Sequence, residues 1–421
     1  CQIHVQYVPA SDQPPFEFAE VHTLENQKDA TALKMEPKKV LHITNIASLY
    51  RQAQWSKLLA HPRLDYHFAF GDNPYAGIKT IDFSVSPFTK FKTSLHGIKN
   101  IWVFKKFLVW QRGVIGKCLK TNANLVILLG EFNVLSNWIG ALICRIRKVP
   151  VVFRGHGMYG NEKGLKLFLR KNYYKLANGH LVYERRSKKI MVSQGFKAES
   201  IHIIFNSLDY DAHREARERI QNLDKKKIYP FFTNPDAPVL LFVGRLTAVK
   251  KLHLFLEAVA ILNKKGHSPN VLLVGDGPKG PELKKYAVQH LKKGSYHFYG
   301  ACYDEKTNEK LLAAADVCVS PGNVGLTAIH NLSYGTPVIT HGNFENQMPE
   351  VEAITAGETG YFFEEGNVMD LSDKILLWIT QPDYDREAIR RKCYEIIDQY
   401  YNPYYQIEVI ENLANQAPAL L

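Results

Sequence analysis

Between Ala315 and Thr340 the chain alternates an apolar strand, a glycine turn, a helical run and a second apolar strand. Ala315-Asp-Val-Cys-Val319 is short, apolar and β-rich, which suits a buried strand. Pro321 and Gly322 end that run, and Gly325 permits a tight backbone turn. Leu326, Ile329 and Leu332 then recur at helical spacing towards Tyr334. Gly335 stops the helix, and Pro337-Val-Ile339 starts the next strand. A glycine turn feeding a helix leaves first-turn N–H groups without partners and adds the positive end of the helix dipole. Phosphate is attracted to such a spot. On these residues alone, a plain strand–helix–strand connection without a ligand explains the pattern equally.

Runs of the same type lie upstream. Val239-Leu-Leu-Phe-Val-Gly-Arg-Leu246 ends in Gly-Arg, with Lys250 and Lys251 close behind. Asn270-Val-Leu-Leu-Val-Gly-Asp-Gly-Pro278 ends in a glycine turn, and Tyr296-His-Phe-Tyr-Gly300 is a third run. In the first half, Val40–Asn45, Tyr66–Phe70, Val149–Gly157, Gly179–Glu184 and Ile201–Asp209 read as strands. Strands thus alternate with helical runs twice over, with a proline-bearing stretch from Tyr229 to Pro238 between. The pattern predicts two doubly wound, Rossmann-like α/β domains facing a cleft. The expected division is an N-terminal extension over 1–38, a first domain over 39–228 and a second over 229–384. Helices over 385–421 are expected to cross back to the first domain.

The second half carries Gly244-Arg245-Leu246, Lys250, Gly275-Asp-Gly-Pro278, Phe298-Tyr-Gly300, Ala315-Asp316, Gly325-Leu326 and Gly335-Thr-Pro-Val338. In order and spacing these resemble the donor half of the retaining glycosyltransferases of family 4, which have the GT-B fold. The resemblance implies transfer of a sugar from a nucleotide-diphosphate sugar (UDP or GDP) to a glycan or lipid-linked glycan acceptor. It implies donor contacts from Gly244, Gly275, Asp276, Tyr299, Pro321, Asn323, Val324, Gly325, Leu326, Thr327 and His330, and from Glu350 within Met348-Pro-Glu350. Arg245 and Lys250 would bind the diphosphate as charge-assisted donors and neutralise the leaving group.

One departure stands out. The family usually carries two glutamates around this helix. Registered on Gly325-Leu326, their positions are Gly322 and His330, and neither is acidic. Pro321-Gly-Asn-Val-Gly-Leu326 resembles instead a sub-branch that works on bacterial surface polysaccharides. His330 is open to two readings, a hydrogen-bond partner for ribose or a packed side chain.

In the first half, Arg154, His156 and the following loop stand at a strand's carboxyl end, where open α/β sheets hold ligands. His156 resembles the family's cleft histidine near the reacting sugar, which implies a catalytic role; a packed histidine is the alternative. Tyr50, Arg51, Arg154 and Tyr159 are the expected acceptor-binding residues, with Met158–Glu162 as a mobile loop.

A chain of 421 residues is too long for one ordinary core. Its formal charge of +12 favours an anionic partner. No RNA- or DNA-binding motif is present, so nucleic acid is not expected as one. From Phe83 to Gly130 there is no Asp or Glu, and lysines interleave with Phe91, Trp102, Phe104, Phe107 and Trp110. Residues 90–120 read as a basic amphipathic helix able to lie on an anionic membrane surface. A solvated face over an ordinary core suits the same spacing. The six cysteines show no C-x-x-C spacing, so reduced thiols are expected and a zinc site is not. Leu125–Cys144 is strongly apolar, yet it contains Glu131, Asn133, Ser136 and Asn137, and reads as a strand and a helix rather than a membrane span. The expected location is cytoplasmic, peripheral on the inner face of the cell membrane.

No Asp-x-Asp pair is expected near a strand end, so metal-independent chemistry is expected, with no cofactor beyond the nucleotide-sugar substrate. Two rivals stand beside the transferase. A sugar-nucleotide epimerase of the same fold would need cleft carboxylates as acid and base, for which Glu131 and Glu350 are isolated candidates. A catalytically degenerate protein that binds anionic ligands would fit the missing acidic pair.

Overall fold

The apolar runs pair into two sheets. The computed structural model describes residues 36–71, 78–104, 107–381 and 385–420; the segment expected as an N-terminal extension lies outside them up to residue 35, as do Lys105 and Lys106. The first sheet is built from β1 (Lys38–Thr44), β2 (Leu64–Gly71), β3 (Leu95–Val103), β4 (Leu108–Arg112), β5 (Leu125–Leu129), β6 (Val151–Gly155), β7 (Gly179–Val182) and β8 (Ile201–Ile203). Their order is β4-β3-β2-β1-β5-β6-β7-β8. β1 is central and parallel to both neighbours, with Val40 opposite Tyr66 on one side and Leu125 on the other. Helices cover both faces, so central strands such as β5 must be apolar throughout. Leu125, Val126, Ile127 and Leu128 are fully buried. The apolar window 125–144 resolves into β5 and the helix Leu135–Ile146. Among the described residues, no helix is long and apolar enough to cross a membrane.

The basic segment departs from expectation. Leu95–Val103 and Leu108–Arg112 pair as antiparallel strands, not as an amphipathic helix, with Ile101 opposite Trp110 and Val103 opposite Leu108. β-branched and aromatic residues favour the pleated surface. A period of two also decides the outcome: Ile98 and Asn100 point inward while Lys99, Ile101 and Val103 point out. The inward amides bond to one another and to the sheet: Gln111 Nε2 donates to Asn100 Oδ1 at 3.0 Å and Asn100 Nδ2 to the Asn45 carbonyl at 2.8 Å.

The second sheet contains β9 (Val239–Val243), β10 (Asn270–Val274), β11 (Tyr296–Gly300), β12 (Val317–Ser320), β13 (Val338–His341) and β14 (Gly360–Phe363). All are parallel, in the order β11-β10-β9-β12-β13-β14. The strand order reverses between β9 and β12, and ligands of open α/β sheets bind at such a switch point. The expected elements 315–319, 326–334 and 337–339 appear as β12, the helix Thr327–Ser333 and β13.

The chain enters this second layer early. Ala216 of the helix Tyr210–Arg219 and Ile220 just after it pack with Leu241 and Leu272, and Tyr229 and Phe232, inside the proline-bearing stretch, are buried in the same cluster. Of the last two long helices, Arg386–Gln399 buries Cys393 and Ile397 with Ile329 and Leu332 of the second lobe. Pro403–Gln416 buries Ile407, Ile410 and Leu413 beside Trp55, Leu58 and Val40 of the first. Pro37–Leu421 is one compact unit.

Candidate active site

The donor-side loops leave the carboxyl ends of β9, β10 and β12. After β9, Gly244 takes a positive φ of 144° and donates its N–H to the Val274 carbonyl at 2.9 Å. Gly275 follows β10 with φ 148°, and a Cβ there would overlap the carbonyl oxygen of Gly244. The two glycines let β9 and β10 end in contact, which aims Arg245 out of the sheet. Arg245 is exposed and has no ion pair among the described residues. Asp276 is spent on its own turn, where its Oδ1 accepts from the Gly277 N–H at 2.7 Å. Tyr299 is 39% exposed on the sheet-edge strand β11.

After β12 the loop closes on the 248–250 turn. Lys250 Nζ donates to the Asn323 carbonyl at 2.6 Å and to Asn323 Oδ1 at 3.2 Å. Burial pushes the Lys250 ammonium below its ordinary pKa. Pro321 and Val324 are buried, and the Val324 N–H is held by Gln347 Oε1 at 2.8 Å. Gly325 has φ 55°, Leu326 caps the helix, and Thr327 Oγ1 reaches back to the Val243 carbonyl at 3.3 Å. The Ala328 N–H turns back to the Gly325 carbonyl at 3.0 Å, and this first turn lies beside the end of β9.

The two positions without acids now have physical reasons. At Gly322 a Cβ would overlap the Val249 carbonyl oxygen, and the Gly322 N–H donates to the Lys250 carbonyl at 3.0 Å, so no glutamate fits. His330 is bonded to a carboxylate from another helix: its Nε2 lies 2.8 Å from Glu305 Oε1. That oxygen also accepts from the Tyr334 hydroxyl at 2.7 Å and lies 3.6 Å from His213 Nε2. Burial alone would raise the Glu305 pKa, but His213, His330 and Tyr334 outweigh it and hold the carboxyl far below the usual range. Neither Glu305 nor His213 belongs to a motif, so sequence reasoning missed both.

A cavity of about 550 Å³ is walled by Tyr50 on the first-lobe side and by Gly244, Leu326, Thr327 and His330 on the second. Behind Tyr50 lies a polar network centred on Tyr183. Arg51 donates to the hydroxyls of Tyr50 at 2.8 Å and Tyr183 at 2.9 Å, and to Asn206 Oδ1 at 3.4 Å. Asn206 Nδ2 donates to Glu350 Oε1 at 2.7 Å, joining the lobes. Burial raises the Glu350 carboxyl pKa. Arg154 is 2% exposed, pairs with Gln54 Oε1 at 3.1 Å and lies over the Tyr183 ring.

His156 packs edge-on against Tyr183 and stacks on Tyr159. Burial, then the charges of Arg51 and Arg170, lowers its pKa to about 4, so the imidazole is neutral near pH 7. Tyr159 is pushed up to about 12 by burial. The loop expected to be mobile is pinned: Met158 is fully buried, and the Glu162 carboxylate accepts from the N–H groups of Tyr159 and Gly160 at 3.0 and 2.9 Å. Arg154 Nε and Nη1, His156 Nδ1 and Glu350 Oε2 are buried without partners among the described residues. Buried polar atoms of that kind call for a ligand or water.

The lobe seam also holds groups that no motif announced. Glu352 accepts from the N–H groups of Arg185 and Arg186, both at 2.7 Å, and so caps a first-lobe helix from the second lobe. Burial first, then Glu352, raises the neighbouring Glu184 to about 7. Against the expectation of none near a strand end, an Asp-x-Asp pair occurs at Asp209–Asp211, after β8, but its acids are engaged within the protein. Asp209 caps its own helix through the Ala212 N–H at 3.5 Å, and Asp211 pairs with Lys57 and Tyr404.

Residues 224–395 match the model of the family described as glycosyl transferases group 1. A glycogen synthase of Leptothrix cholodnii is 31% identical over 139 residues, covering 31% of this chain and 28% of that protein. An alpha-monoglucosyldiacylglycerol synthase of Streptococcus pneumoniae is 25% identical over 274 residues, covering 61% of this chain and 60% of its own length. The chain therefore spans less than two thirds of these relatives. Among solved structures, Anabaena HepE in complex with UDP superposes with a TM-score of 0.62 at 17% identity, covering 90% of this chain and 100% of that one. The fold is that of the GT-B glycosyltransferases, and residues 224–395 are similar to the glycosyl transferases group 1 family.

Proposed function

We propose that the protein is a retaining, metal-independent glycosyltransferase that moves a sugar from a UDP- or GDP-sugar to a glycan or lipid-linked glycan in bacterial surface polysaccharide synthesis. One observation carries the reading: at the switch point of the second sheet, Gly244, Leu326 and Thr327 line one cavity, and the loops that carry them also carry Arg245, which has no ion pair among the described residues, and Asn323, whose carbonyl binds Lys250. Two cations and main-chain N–H groups suit a pyrophosphate leaving group. The arginine fork matches phosphate geometry, and the charge it neutralises grows as the sugar–phosphate bond breaks. In the first lobe, the neutral His156 and the unpaired atoms of Arg154 are the groups left to orient sugar and acceptor.

The test is turnover of UDP- and GDP-sugars with and without chelator, in the native protein and in Arg245→Ala. The expected outcome is activity that survives chelator and falls by roughly 10²–10³ in the variant. Epimer formation without acceptor would favour the epimerase. Binding without turnover would favour the degenerate reading.

The acceptor side has a matching surface, an anionic membrane on its cytoplasmic face. The end of the β3–β4 pair exposes Phe104 at 77% and also Phe107, Ile101 and Val103. Next to it, tied by Asn133 Nδ2 to the Phe107 carbonyl at 2.9 Å, the helix Leu135–Ile146 exposes Leu135, Ile139, Leu142 and Ile146 along one stripe. Arg145, Arg147 and Lys148 border it. One relative is named for a glucosylated diacylglycerol, a lipid product. Co-sedimentation with phosphatidylglycerol vesicles, lost in Ile146→Asp and absent with phosphatidylcholine, supports the membrane; equal recovery from both vesicle types removes it.

A further inference from the structure

We propose that His213, Glu305 and His330 form a binding site for a zinc-class divalent cation. Each offers one ligand atom, and these atoms lie within 4.8 Å of one another. The residues come from three helices: Tyr210–Arg219, where the chain enters the second layer, Glu305–Ala314, and Thr327–Ser333, which follows the β12 loop. Both imidazoles aim Nε2 at one point, the Glu305 Oε1 atom, at 2.8 Å from His330 and 3.6 Å from His213. Zinc bonds nitrogen and carboxylate oxygen at about 2.0–2.2 Å, so neighbouring ligands of a tetrahedron stand roughly 3.4 Å apart. The observed cluster is already close to that size.

Its surroundings suit a cation. The Tyr334 hydroxyl donates to the ligand carboxylate at 2.7 Å, the kind of outer contact that orients a metal ligand. All three residues line the 550 Å³ cavity, which leaves a fourth coordination position open to water. Two imidazoles and one carboxylate select zinc, cobalt or nickel over magnesium and calcium. Sequence spacing hides the site, because its ligands lie far apart in the chain and include no cysteine. A cation here clamps three helices together and shares a cavity with Gly244 and Thr327. Ligation needs only these side chains and takes no part in sugar transfer, so the site stands whether or not the transferase reading does.

The test is equilibrium dialysis of the full chain, first stripped with chelator, against zinc chloride, with bound zinc measured by atomic emission. A parallel titration with cobalt(II) follows visible absorption. The native protein takes up one more equivalent per chain than His330→Ala or Glu305→Gln, and bound cobalt gives the strong bands of a four-coordinate site. Tyr334→Phe weakens uptake by roughly 10–100-fold, while Arg245→Ala leaves it unchanged. Circular dichroism checks folding; if His330→Ala unfolds, Glu305→Gln at an exposed position decides. Equal zinc uptake by the native protein and the folded variants, or a cobalt spectrum no stronger than that of the aquated ion, overturns the site.

Discussion

The two walls of the cleft are made of different materials. On the second-lobe side the shape is set by main chain: Gly275 and Gly322 bring strand ends and turns into contact where a side chain would collide. On the first-lobe side the shape is set by side chains, with Arg51, Arg154, Tyr183 and His156 packed into one another. A main-chain site tolerates loss of its projecting cation but not of its glycines. A side-chain site loses stability and function together, because each group is a partner of the next.

The largest expected effect tests the first half of that contrast. Gly275→Ala places a Cβ on the Gly244 carbonyl at a φ of 148°, which no local relaxation removes. It should cost roughly 4 kcal/mol or more, seen as a collapse of the thermal transition. A transition within a few degrees of the native one would break the claim that backbone contact shapes this wall.

Next, Arg245→Ala should change stability by no more than about 0.5 kcal/mol, because the exposed side chain has no ion pair among the described residues, while turnover falls as stated above. Arg51→Met should behave in the opposite way. It strands Tyr183 and Asn206, and should lower stability by roughly 2–4 kcal/mol along with activity. If Arg245→Ala destabilised as much as Arg51→Met under denaturant, the distinction between the walls would fail.

The smallest effect sharpens the seam between them. Glu184 has its folded pKa raised from 4.5 to about 7. A raised folded pKa contributes stability that is complete below the unfolded value and lost as pH rises through the folded one. The native protein should therefore weaken between pH 4.5 and 7, and Glu184→Gln should flatten that decline and gain roughly 1–3 kcal/mol at pH 8. Unfolding midpoints at pH 5 and pH 8 measure it; parallel curves for the two proteins would rule it out.

Much of the second lobe was legible from residue order. Val239–Val243, Asn270–Val274 and Tyr296–Gly300 are strands, and the glycine turns that follow them sit where the spacing put them. The first lobe was less so. The basic segment carries lysines and tryptophans that suit a surface helix, yet the period-two burial of Ile98 and Asn100 against the sheet goes with antiparallel strands at Leu95–Val103 and Leu108–Arg112. Glu305 and His213 were invisible, since neither stands in a motif. Gly322 looked like a lost acid until the Val249 carbonyl was found against it.

Strand–helix alternation and the glycine turns are properties of neighbours in the chain, so the residues alone were enough to establish them: periodicity and the special backbone freedom of glycine act over a few positions. The pairing of Glu305 with His330, of Arg51 with Tyr183 and Asn206, and of Glu352 with the N–H groups of Arg185 and Arg186 was decided by folding. Those contacts join residues up to 167 positions apart, and a buried charge takes whichever partner the packing delivers.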